Sequence, residues 1–138
     1  MITQHEIDLV KPRILIVGGT PLLHQRLGRA FRPVGISYEL AHGAKDALKR
    51  LDEGEPPITG VLTDALHGDY PQVIEAAREI GAHAVLMTRS SLTLLRAQQE
   101  DIPAYLTGQF AGRTRQGNEP ICKLIMDLAP LPEIYPDL

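Results

Sequence analysis

The chain has 138 residues, 43% of them hydrophobic and 22% charged, with a net charge of −3. That length suits one domain with a sizeable core, and the slight acidity gives no bulk attraction for nucleic acid or an anionic membrane. No apolar run approaches the roughly 20 residues of a membrane span, no basic-then-apolar export segment opens the sequence, and a cytoplasmic location is expected.

Ile14-Leu15-Ile16-Val17 is a continuous apolar run that predicts a strand over 13–18, leading straight into Gly18-Gly19. Leu23, Leu27, Ala30 and Phe31 mark a helix, ended by Pro33 and Gly35. A second strand is predicted over 36–41. Ala44, Ala47, Leu48 and Leu51 then follow the i, i+3, i+4, i+7 spacing of an amphipathic helix. After Gly54 and Pro56-Pro57 comes a third strand over 59–64, closed by Asp64.

Val73, Ala77 and Ile80 mark the next helix, and 83–88 the fourth strand. Ser90 and Ser91 can cap a helix carrying Leu94 and Leu95. A short fifth strand is predicted over 104–107, then Gly108, and Ile121, Leu124, Ile125 and Leu128 repeat the helical spacing. Cys122 lies among those last residues and is expected to be a small buried apolar residue. As the single cysteine it excludes an internal disulfide or a cysteine-based zinc cluster.

Strands alternating with helices predict an α/β fold, a doubly wound five-stranded parallel sheet with helices on both faces. The expected unit is one domain over 1–138, its core about 12–128, with an N-terminal arm and a Pro-rich C-terminal tail. In such sheets ligands gather outside the carboxyl ends of the strands. Those ends carry Gly18-Gly19-Thr20, Asp64, Thr88-Arg89 and Thr107-Gly108.

At these ends the chain resembles the receiver domain of bacterial response regulators, the phospho-accepting half of two-component signalling. Ile14-Leu15-Ile16-Val17-Gly18-Gly19-Thr20-Pro21 is similar to the family's first strand and turn, where an acidic pair normally stands at Gly18 and Gly19. Val61-Leu62-Thr63-Asp64 matches the strand ending in the phospho-accepting aspartate. Val85-Leu86-Met87-Thr88 matches the strand ending in the hydroxyl residue, and Tyr105 falls on the switch aromatic of the fifth strand. Gly108 falls on the family's lysine and Gln109 on its proline.

The resemblance implies a flavodoxin-like (CheY-like) sheet of strand order 2-1-3-4-5, with Asp64 as the phosphoacceptor position and Thr88 and Tyr105 as the switch pair. It also implies a degenerate site. Gly18 and Gly19 offer no magnesium ligands, and Gly108 supplies no cation for a transferred phosphoryl group. No cofactor is expected, Mg²⁺ binding being weak or absent. Arg89 stands where the family has a small residue, as a gate that pairs with Asp64 or blocks access to it.

Plainer readings stand beside these. Asp64 can be a carboxylate satisfied by backbone N–H groups or by Arg89, a slow acceptor, or a ligand contact. Gly18-Gly19 can serve a tight turn or form a small anion nest. Thr88 and Tyr105 can be ordinary packing with a polar tip. The five histidines are scattered without a metal spacing; His67 lies near Asp64 but out of register with a D-x-H motif. Arg113 and Arg115 form a small basic patch, by default a solvated loop.

The function expected is a non-enzymatic receiver-type signalling module, a pseudo-receiver with a degenerate phosphorylation site. It would act through protein–protein interaction. A kinase or output protein is the expected partner, with a homodimer through the fourth helix, fifth strand and last helix also open. Two alternatives remain: a genuine phosphoacceptor fed by a histidine kinase, and a flavodoxin-like small-ligand domain with Gly18, Gly19 and Arg89 as contacts. The geometric expectation is that Asp64, Thr88 and Tyr105 converge at one rim of the sheet.

Overall fold

Each predicted apolar run forms a strand within a residue or two of its expected limits. The computed structural model describes residues 12–54, 57–110 and 118–129. In chain order these hold β1 (Arg13–Val17), α1 (Pro21–Phe31), β2 (Ser37–Ala41), α2 (Ala44–Glu53) and β3 (Gly60–Thr63). There follow α3 (Tyr70–Glu79), β4 (His83–Thr88), α4 (Ser91–Gln99), β5 (Ala104–Leu106) and α5 (Asn118–Leu128). All strand pairs are parallel and the order is β2-β1-β3-β4-β5, as expected.

Strand side chains alternate between faces, so one sheet feeds two cores. Leu15, Val17, Val61 and Leu86 pack with Ala47 and Leu51 of α2, Val73 and Ala77 of α3, and Ala97 of α4. Ile14, Ile16, Leu62, Val85 and Met87 face the other way, onto Leu23, Leu27 and Phe31 of α1 and Leu124 and Leu128 of α5. Burial on both faces explains why these strands are continuous apolar runs and lack hydrophobic alternation.

Gly60 sets how closely α5 can approach. A Cβ there would lie 2.6 Å from the Leu128 carbonyl oxygen and 2.7 Å from Ile14 Cδ1. Glycine therefore lets the end of α5 rest on the start of β3.

Two expectations need correction. Cys122 is exposed. It sits beside Leu124 in sequence, but at about 100° per residue it points away from the Leu124/Leu128 stripe. Ile80 lies past the end of α3 and is 48% exposed. The two arms and the Arg113/Arg115 patch fall outside the described residues.

Candidate functional site

The carboxyl ends of β1, β3 and β4 open onto a cavity of about 670 Å³ whose lining includes Gly18, Gly19, Asp64, Thr88, Arg89 and Thr107. Its β1–β3 side is assembled from the main chain. Gly18 donates its N–H to the Ala41 carbonyl at the end of β2 (3.0 Å), and Asp64 donates its own to Val17 (3.0 Å). Gly18 and Gly19 have φ of +74° and +86°, a left-handed turn that favours glycine.

That turn aims the Gly19 N–H at Asp64 Oδ2, 2.9 Å away. The other carboxylate oxygen, Oδ1, accepts from Leu66 N–H at 3.0 Å, an Asx-type turn two residues on. Leu66 itself is held at φ +49°, a conformation unusual for a branched side chain. Local strain thus accompanies the anchoring of the carboxylate.

The glycine at 18 is also a matter of space. A Cβ on Gly18 would lie 2.4 Å from Asp64 Oδ2 and 2.5 Å from its Cγ. The carboxylate therefore occupies the volume a side chain at 18 would need. An acid at that position and Asp64 in this rotamer exclude one another.

The resemblance seen in the sequence implies a magnesium ion among such residues. Among the described residues no group of three or more His, Cys, Asp or Glu could hold a metal ion. Gly18 and Gly19 provide no side-chain oxygen, and each Asp64 oxygen is engaged by a backbone N–H. Arg89 is exposed at the cavity rim, and among the described residues it makes no ion pair with Asp64. The two N–H groups, and not the guanidinium, satisfy the acid.

Thr88 is buried at the same rim. Its hydroxyl oxygen accepts from Ser90 N–H at 3.1 Å, while Ser90 Oγ caps α4 by accepting from Thr93 N–H at 3.2 Å. Thr88 therefore serves the β4–α4 corner.

Tyr105 stands elsewhere. It is the register partner of Met87 and packs with the α1/α5 core, on the face opposite the one Thr88 takes by strand alternation. Its hydroxyl donates to Asp127 Oδ2 on α5. Burial, followed by this carboxylate, pushes the phenol well above its ordinary range. Asp64 and Thr88 thus share the cavity, and Tyr105 does not line it. Gly108 lies in the 3-10 turn after β5, and a Cβ there would meet nothing within 4 Å.

Two residues of this arrangement escaped the sequence reading. His24 on α1 places Nε2 2.6 Å from the Gly18 carbonyl oxygen, so Nε2 carries the hydrogen. A histidine one turn into a helix points back over the turn that precedes it, which was a usable signal. Asp127 stands beside the apolar stripe, just before Leu128, a carboxylate edging a buried seam.

No family model and no curated protein sequence matches this chain. Solved structures do. It is similar to a response regulator receiver protein from Sinorhizobium medicae, with 20% identity, a TM-score of 0.64 and coverage of 87% of this chain and 93% of that one. It is also similar to a CheY-like receiver domain protein from Methanospirillum hungatei, with 17% identity, a TM-score of 0.61 and coverage of 86% and 94%. A de novo designed Rossmann 2x3 fold protein matches at 9% identity and a TM-score of 0.56, covering 83% of this chain and 88% of that one. At such identities the likeness is one of fold: the chain has the receiver architecture.

Proposed function

We propose that this chain is a receiver-type regulatory module of two-component signalling whose phosphoacceptor position has been converted into a structural carboxylate. It acts by contact with another protein. The observation that carries this reading is the state of Asp64: both oxygens bonded to main-chain N–H groups, in space freed by Gly18. A phosphoacceptor needs an accessible oxygen and nearby positive charge to steady the transferred group. Losing one such preorganised group typically costs on the order of 10²–10³ in rate.

The contact surface in this reading lies around α4, β5 and α5. Leu92 and Leu95 of α4 are 65% and 55% exposed, and Met126 of α5 is 51% exposed. Apolar side chains left in water on these two helices suit a protein partner.

The test is incubation with Mg²⁺ and acetyl phosphate, followed by intact-mass spectrometry. The expected result is no phosphoryl adduct beyond that of an Asp64→Asn control. Prompt, near-complete labelling that disappears in the control overturns the reading.

A further inference from the structure

The Gly18–Gly19 peptide group is held from both ends. Its carbonyl accepts from His24 Nε2–H at 2.6 Å, and its N–H donates to Asp64 Oδ2 at 2.9 Å. Gly18 N–H, one peptide earlier, is fixed to the Ala41 carbonyl at 3.0 Å. A peptide between two glycines is otherwise among the easiest to rotate, because neither residue has a Cβ to restrict it. Rotating it by half a turn would carry the N–H away from Asp64 and present the carbonyl oxygen to a carboxylate, a repulsive pairing.

We propose that His24 is a positioning residue that latches this peptide, so that Asp64 is satisfied by the main chain independently of any cation. While the latch is closed, the Gly19 N–H occupies Asp64 Oδ2. Its polarity is self-consistent. The imidazole N–H polarises the Gly18 carbonyl, which strengthens the Gly19 N–H as a donor to the anion, the cooperative behaviour of chained hydrogen bonds. His24 and Asp64 therefore sense one another through a peptide without touching. The inference deepens the reading of Asp64 as a structural carboxylate, and its test uses no phosphodonor, so the two fail separately.

The test is amide hydrogen exchange by NMR on the whole chain, comparing His24→Ala, His24→Gln and Asp64→Asn. A glutamine amide can take the place of the Nε2 donor. In H24A the Gly19 amide is expected to exchange about tenfold faster, the effect of losing one ordinary hydrogen bond. Leu66 and the β3 amides of Val61 and Leu62 should keep their rates, and H24Q should keep the Gly19 rate of the parent chain. In D64N the His24 Nε2 resonance should move although no contact with the ring was altered. An unchanged Gly19 rate in H24A overturns the latch, as does uniform acceleration of Gly19, Leu66 and β3 in H24A. So does an H24Q that behaves like H24A, or a D64N that leaves the imidazole signal in place.

Discussion

The strand-end rim and the packed seam between β5 and α5 anchor their carboxylates with different material. Beside β1 and β3, Asp64 is held by main-chain N–H groups of Gly19 and Leu66. Beside β5, Asp127 is held by a side chain, the Tyr105 hydroxyl. A main-chain anchor requires a particular backbone course, so it depends on glycine and on space. A side-chain anchor depends on one functional group and leaves the backbone indifferent.

That contrast is broken first at Gly18. Gly18→Ala places a methyl group where the Asp64 carboxylate sits, at a φ of +74° that an L-residue resists. The expected loss is about 2–4 kcal/mol, combining left-handed strain with the displaced hydrogen bonds. Urea unfolding measures it; a loss below about 1 kcal/mol would mean that the carboxylate moves aside at little cost.

Tyr105→Phe comes next. It removes the phenol from Asp127 and leaves the backbone untouched, so the expected loss is about 1–2 kcal/mol. The rim at Asp64 should be unaffected, because Tyr105 does not line that cavity. Amide chemical shifts at Gly18, Gly19 and Leu66 check this, and a change there would join the two regions that the structure separates.

The smallest effect is in alkaline solution. Burial and Asp127 raise the Tyr105 pKa in the folded chain, so above the ordinary phenol value near 10 the unfolded chain loses its proton first. Stability from this group is complete below that value and declines as pH rises through the folded pKa. The expected slope appears in urea titrations of the parent chain above pH ~10 and is absent in Y105F. Equal slopes in the two proteins would remove Tyr105 from the account.

Much of the architecture was legible because strands buried on both faces announce themselves as unbroken apolar runs. Ile14–Val17, Val61–Leu62 and Val85–Met87 all behave this way. The weaker signals misled where helical rotation was ignored. Cys122 stands two residues before buried Leu124 and still faces out. Ser90 does cap the helix that carries Leu94 and Leu95, and of that helix only Ala97 is buried.

The candidate site divides the same way. Gly18-Gly19 and Asp64 could be singled out as a glycine turn and a lone acid at neighbouring strand ends, since parallel pairing of β1 with β3 follows from the fold. That the acid folds back into the room left by the glycine could not be read, because it turns on a side-chain rotamer. The pairing of Tyr105 with Asp127 likewise depends on how α5 docks against β5.

The sequence by itself determined the order of strands and helices, the two-sided core and which residues reach the strand ends. Those properties follow from hydrophobic period and chain connectivity, which are local. Only the tertiary structure decided that Asp64 is bound by backbone, that His24 reaches Gly18, and that Thr88 and Tyr105 part to opposite faces. Hydrogen bonds are directional over a few tenths of an ångström, and that precision exists only once distant segments have packed.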